Sequence, residues 1–176
     1  MRQLLKSFKG AGRKTKILCI AFLTAAVFFY LFVITRFSAQ DAEESGNLSY
    51  EIAQDIAKFI ETVSSRLSDE DIPTLAEYFE HPVRKLAHFM EYGILGGLFC
   101  ASFLPLIGDM RRSGYKARRL YIVNTILVFL LAGLDEFHQF FVPGRYASFL
   151  DVLLDTSGCI VFCIFLYFRF DRKKYR

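Results

Sequence analysis

Charge is missing from four long stretches of this 176-residue chain: positions 17–35, 92–108, 120–134 and 156–168 contain no Asp, Glu, Lys or Arg. Since 23% of the residues are charged, the gaps reflect placement rather than scarcity. Tryptophan is absent, and 20 Phe and 9 Tyr carry the aromatic content. The four cysteines, Cys19, Cys100, Cys159 and Cys163, all fall inside uncharged stretches. That placement argues against disulfides and leaves small apolar packing as their default role. Phosphate-loop, zinc-ribbon and serine-nucleophile patterns are also missing. No internal repeat or low-complexity tract divides the chain, so it reads as one domain.

What fills the gaps is aliphatic and aromatic. A helix crossing the hydrocarbon core needs ~20 mostly apolar residues. The first stretch reaches that length unaided; the other three do so by taking in polar ends at His88 and Glu91, at Asp135 to Gln139, and at Asp151 to Asp155. The expectation is an all-α membrane protein, a bundle of four transmembrane helices at about 17–36, 86–107, 120–140 and 149–168. The first stretch is longer than the ~7–15 residues of a signal-peptide core. The Phe37-Ser38-Ala39-Gln40 end is also a poor cleavage site, which favours a retained anchor.

Basic residues set the orientation. Sixteen of the 22 Lys and Arg lie before the first stretch, between the second and third, or after the fourth. The positive-inside rule puts those segments, and hence both termini (1–16 and 169–176), in the cytoplasm. The segment 37–85 is rich in acid and falls outside. The net charge of +4 is therefore a topology signal rather than a nucleic-acid footprint. Within that external segment Ile52, Ile56, Phe59, Ile60, Val63 and Leu67 recur at three-to-four-residue spacing, the mark of an amphipathic helix. Such a helix either lies on the outer leaflet or packs across the bundle mouth. Asp71-Ile72-Pro73-Thr74 reads as a second helix start.

This topology gathers ionisable residues from distant positions at one outer rim, where a bilayer makes them expensive. Lys85, His88 and Glu91 step by three; Asp135, His138 and Gln139 share a face, with Glu136 about 100° round; Ser148, Asp151 and Asp155 step by three and four. Five carboxylates (Glu91, Asp135, Glu136, Asp151, Asp155) face at most three cations (Arg84, Lys85, Arg145), so compensation by protons, a bound cation or a cationic ligand group is expected. Bland roles compete. Ser148-Phe149-Leu150-Asp151 fits a capping box, Val142-Pro143-Gly144-Arg145 fits a type II turn, and Arg145 either holds phosphate or pairs with Asp151. Gly93-x-x-x-Gly97 suits close helix packing. His88-x-x-Glu91 and Asp135-x-x-His138 match no specific metal-ligand spacing, so a divalent metal is conceivable but no metal or other cofactor is assigned.

Four runs carry a family resemblance: Phe37-Ser38-Ala39-Gln40 with Ser45 and Ser49; Lys85-Leu86-Ala87-His88-Phe89-Met90-Glu91-Tyr92; Asp135-Glu136-Phe137-His138-Gln139 with Pro143-Gly144-Arg145; and Asp151-Val152-Leu153-Leu154-Asp155-Thr156-Ser157-Gly158. In that order they resemble the VanZ-like family. The resemblance implies a multi-pass bacterial plasma-membrane protein of the cell envelope, in a family whose namesake is associated with teicoplanin resistance. It implies no established reaction. The ligand-site candidates are Ser38, Gln40, Lys85, His88, Glu91, Tyr92, Asp135, Glu136, His138, Gln139, Arg145, Ser148, Asp151 and Asp155.

Three function classes follow. The favoured one is a site that binds or moves a membrane lipid or lipid-linked wall precursor, with Arg145 and Lys85 toward phosphate. The second is an intramembrane hydrolase or transferase, with His88, Glu91, Glu136 and His138 as acid/base candidates and a metal as an optional aid. The third is an interaction protein that modulates another envelope enzyme. No unambiguous nucleophile appears, so binding leads over catalysis. Cysteines placed at Asn47 and Ser113 should label oppositely with a membrane-impermeant thiol reagent in whole cells, Asn47 alone reacting. Labelling of both, or of Ser113 alone, would overturn the topology.

Overall fold

A computed structural model describes residues 12–64, 68–103 and 117–170. The expected cytoplasmic segments around 1–11, 104–116 and 171–176 lie outside the described residues. Everything described is helix, turn or irregular chain. The order is α1 (Arg13–Ser38), α2 (Ala42–Val63), a 3-10 turn (Asp69–Asp71), α3 (Ile72–Ser102), α4 (Ala117–Gln139) and α5 (Phe149–Phe170).

Local signals place most of these boundaries. Asp41 starts α2 by accepting from the Glu44 N–H at 2.8 Å, and Glu43 and Glu44 complement the positive helix start. Asp71 accepts from the Ser68 N–H and hydroxyl at 2.9 and 3.0 Å. Those bonds stabilise the carboxylate and hold the Asp71 pKa below its usual value. The helix α3 then begins at Ile72 with Pro73 in its first turn, as the sequence suggests, where a missing N–H costs nothing.

The start of α3 lies well before the expected span boundary near residue 86. It runs without a break through Pro82 into the uncharged stretch. Polarity changes near Lys85, but backbone hydrogen bonding does not respond to that change, so one helix serves both sides of it. Among the described residues three helices are long and apolar enough to cross a membrane: Arg13–Ser38, Arg119–Gln139 and Phe149–Leu166. Within the described residues α3 is not among them, because Lys85, His88 and Glu91 interrupt its apolar half.

The helix bundle has an apolar core with a few polar residues, and it also carries many large apolar residues on its outside. Its core joins Val27 and Ile34 of α1, Tyr92 and Leu95 of α3, Val128 and Ala132 of α4, and Val152, Cys159 and Cys163 of α5. Phe22, Phe28, Phe29 and Phe32 of α1, and Val161, Ile164 and Phe165 of α5, are exposed. Exposed apolar surface of that extent suits lipid as the surrounding medium. On α2 the sequence stripe is not the packing face. Ser49, Ala53 and Ala57 are buried, whereas Ile52, Ile56, Phe59 and Val63 are exposed, because only small side chains let α2 settle closely against α3.

The tightest contact is between α3 and α5. A Cβ on Gly158 would collide with the Phe89 carbonyl of α3, and one on Gly96 would lie 2.5 Å from Cys159 Sγ. Gly93 would strike the Phe162 ring at 2.6 Å, while Gly97 would meet the same ring at an ordinary 3.8 Å. The close approach thus sets Gly93 against Gly158 and Phe162, and Gly96 against Cys159, rather than relying on Gly97. Gly158→Ala should destabilise the detergent-solubilised protein by about 1–3 kcal/mol. Gly133→Ala, whose Cβ would meet nothing within 4 Å, should be neutral or slightly stabilising. Thermal melts that fail to separate the two variants would refute this contact.

Candidate functional site

One end of the bundle is built from the last turns of α1 and α4, the first turns of α5 and the middle of α3. Each segment delivers a polar group whose partner lies on another. Ser38, at the end of α1 and 1% exposed, accepts from Gln139 Nε2 at 3.1 Å. The same amide nitrogen donates to Asp135 Oδ2 at 3.0 Å. Glu136, also buried, accepts from the Ser148 N–H at 2.7 Å. Lys85 of α3 pairs with Asp151 of α5, both about three-quarters buried.

The α4–α5 loop closes the ring. A hydrogen bond from the Arg145 N–H to the Val142 carbonyl, 3.2 Å, and φ of 74° at Gly144 make the expected turn. A Cβ at Gly144 would lie 2.9 Å from that of Ala42, so glycine serves both the turn and the close approach. The Ala42 N–H donates to the Pro143 carbonyl at 3.3 Å. Arg145 Nη1 donates to the carbonyls of Ser38 and Gln40 at 3.2 and 3.4 Å, tying the α1–α2 joint to the loop. Partial burial pulls the Arg145 pKa down and neighbouring Asp135 opposes this; arginine remains charged in either case.

Two sequence expectations change in detail. Asp151 does not reach back to cap its own helix: the Ser148 N–H is taken by Glu136, and Asp151 is taken by Lys85. Arg145 is likewise not the partner of Asp151, since its Nη1 bonds go to backbone carbonyls. The structure brings Ser38, Lys85, His88, Glu91, Tyr92, Asp135, Glu136, Gln139, Arg145, Ser148, Asp151 and Asp155 to one end, with Gln40 contributing its carbonyl. His138 stands apart: it is exposed while Glu136 and Gln139 are buried, so the inward face of α4 centres on Asp135, Glu136 and Gln139.

Depth orders the cluster. Arg84, Lys85 and Arg145 lie toward the rim, with Asp151 against Lys85. One or two turns further in are Glu91, Tyr92, Asp135 and Asp155, of which Tyr92 and Asp155 are 2% and 1% exposed. Tyr92 lies beside Asp135. His88 Nδ1 is 3.9 Å from Glu91 Oε2, too far for a hydrogen bond. His88 Nδ1, Arg84 Nε and both oxygens of Asp155 are buried without a hydrogen-bond partner. Arg84 pairs with Glu80 on its own helix.

Sequence reasoning counted Arg84 among the cations of the cluster without making it a ligand-site candidate, and it missed Tyr30 of α1, which lies near Glu91. Tyr30 sits in an apolar stretch with no local signal. Asn124 was also missed; deeper in the bundle it donates to the Gly96 carbonyl at 3.0 Å and to Cys100 Sγ at 3.2 Å. Among the described residues, no three His, Cys, Asp or Glu side chains are arranged to hold a metal ion. Beside the cluster, a groove of about 350 Å³ runs along the end of α1, lined by Phe32, Val33, Arg36, Phe37, Ala39, Gln40 and Glu44.

The family model described as VanZ/LLP1 matches residues 14–170. No curated protein and no solved structure matches the chain.

The pairing pattern has an energetic signature. Lys85→Met and Asp151→Asn should couple by about 1–3 kcal/mol in a double-mutant cycle of thermal stability. Arg145→Gln with Asp151→Asn should be additive within about 0.5 kcal/mol. Coupling of Asp151 to Arg145 rather than to Lys85 would contradict the arrangement.

Proposed function

The chain belongs to the VanZ/LLP1 family, and from that premise we propose that it binds or moves an envelope lipid or lipid-linked wall precursor at the outer leaflet of the bacterial plasma membrane. The observation that carries this reading is the convergence of four chain segments on a desolvated polar cluster at one end of an otherwise apolar bundle. Ionisable groups in such surroundings are costly, and where they gather they mark a functional site by default. In this reading the apolar half of α3 belongs to the second of four crossings, and both termini are cytoplasmic. The exposed stripe of α2 then rests on the outer leaflet.

Binding is favoured over catalysis by the geometry of the acid/base candidates. Glu136 is engaged by the head of α5, His138 is exposed, and His88 Nδ1 lies 3.9 Å from Glu91 Oε2, outside hydrogen-bond reach. The groove at the end of α1 mixes Phe32, Val33 and Phe37 with Arg36 and Glu44, a lining that suits an amphiphile. Arg84 Nε, and the Arg145 nitrogens not spent on carbonyls, are the phosphate-facing donors. Occupying a wall precursor in this way would give the protein a part in glycopeptide resistance of the teicoplanin type.

Lipids that co-purify with the protein in mild detergent test the reading. Wild type should retain a phosphate-bearing lipid, and Arg145→Lys, which keeps the charge and loses the planar fork, should retain about tenfold less at unchanged helix content. Full retention by Arg145→Lys would remove the arginine from the phosphate site. A wild-type protein free of specific lipid would sink the binding function.

A further inference from the structure

The hydrogen bonds within the site leave one demand unmet, and that demand is for positive charge. Of the five carboxylates, Asp151 has Lys85, Glu136 has the Ser148 N–H, and Asp135 has the Gln139 amide. Glu91 and Asp155 remain. Asp155 is 1% exposed, neither of its oxygens receives a hydrogen bond, and its neighbours Asp135, Glu136, Asp151 and Glu91 are all acidic. None of the site's cations bonds to Asp155: Arg84 pairs with Glu80, Lys85 pairs with Asp151, and Arg145 gives Nη1 to backbone carbonyls while keeping its charge. A buried carboxylate among like charges is strongly unfavourable unless something supplies donors and charge.

A metal ion would need several oxygens converging on one point, and the described residues offer no such arrangement. A primary ammonium needs less. It brings one positive charge and three N–H donors in a compact group, which suits carboxylates contributed singly by different helices. The sequence of charge with depth supplies the other half of the ligand, because arginines lie at the rim and carboxylates below them.

We propose that the deep carboxylates Asp155 and Glu91 receive the primary ammonium of an aminophospholipid headgroup whose phosphate lies toward Arg84 and Arg145. This deepens the lipid reading above and rests on it. The unpartnered His88 Nδ1, on the helix face between Arg84 and Glu91, lies along the path between the two ends. The ligand chemistry is thus zwitterionic, cation inward and anion outward. A headgroup bearing only an anion leaves Asp155 uncompensated.

Native mass spectrometry of the full chain from mixed micelles, offered acyl-matched phosphatidylethanolamine, its N,N-dimethyl analogue, phosphatidylcholine and phosphatidylglycerol, tests the assignment. Wild type should retain phosphatidylethanolamine about tenfold over phosphatidylcholine and phosphatidylglycerol, with the dimethyl analogue between, as expected when charge-assisted hydrogen bonds are removed. Asp155→Asn and Glu91→Gln should each erase that preference without reducing phosphatidylglycerol retention. A second measurement compares the melting temperature in n-octylamine with that in n-octanol; only the amine should stabilise wild type, and it should not stabilise Asp155→Asn. Equal retention of all four lipids with no effect of Asp155→Asn overturns the ammonium assignment and leaves lipid binding intact. Stabilisation by octylamine without retention of any lipid overturns the lipid reading, and with it the headgroup, while keeping the ammonium site for a soluble amine. If neither lipid nor amine has an effect and Asp155→Asn melts higher than wild type, Asp155 is a protonated structural carboxyl and the proposal fails.

Discussion

The backbone of α3 meets α5 at a spacing that only glycine allows. Gly158 lies against the Phe89 carbonyl, and Gly93 and Gly96 leave room for the Phe162 ring and the Cys159 side chain of α5, so the two helices approach closely. Water offers no driving force between helices in lipid, so association depends on such dispersion contact and on interhelical polar bonds. The same contact fixes the register of the site. It brings the Lys85 turn level with Asp151, and the Glu91 turn level with Asp155. Shifting α5 by one turn would separate the Lys85–Asp151 pair and strand both charges.

From that register the polar bonds follow as a set of cross-segment exchanges. Glu136 of α4 holds the head of α5, Gln139 of α4 holds the end of α1, and Arg145 of the loop holds the joint before α2. Each bond satisfies a group that is buried or near the end of a helix, where an unmet donor or acceptor costs about 1–3 kcal/mol. The consequence is a preorganised rim: the segments that would recognise a ligand are already fixed to one another before any ligand arrives. Arg84 Nε, His88 Nδ1 and both oxygens of Asp155 are left out of these exchanges, and unmet groups beside a satisfied network point to function rather than to loose packing.

The gradient from arginines at the rim to carboxylates within also explains why catalysis fits less well than binding. Acid/base chemistry needs a proton donor or acceptor within hydrogen-bond reach of a reacting atom, yet three of the four sequence candidates are engaged, exposed or too far from a partner. Binding needs only that complementary charges be held apart at fixed depth. Deeper still, the Asn124 amide and its ring of cysteines form a polar knot inside the bundle. It satisfies Asn124 Nδ2 through Gly96 and the thiols, and it couples α4 to the α3–α5 seam.

How much of this was legible beforehand depends on the range of the interaction concerned. The uncharged stretches, the clustering of basic residues and the Val142 to Arg145 turn are properties of short windows, and the amino-acid order alone determined them. The faces that gather polar residues were legible in the same way, since steps of three and four put Lys85, His88 and Glu91 on one face of α3 and Asp151 and Asp155 on one face of α5, whereas Tyr30 left no local signal. Partner choice was not determined in that way. Arg145 and Lys85 are equally plausible counter-ions for Asp151 along the chain; the tertiary fold gave the role to Lys85, since Arg145 was drawn to the carbonyls of Ser38 and Gln40. The fold likewise turned His138 outward, made small residues the packing face of α2, and carried α3 unbroken past Pro82. The physical reason is common to all of these. Hydrophobicity and backbone propensity act locally and leave a trace in sequence, whereas the choice of hydrogen-bond partner is settled by which helices come within about 3 Å of each other.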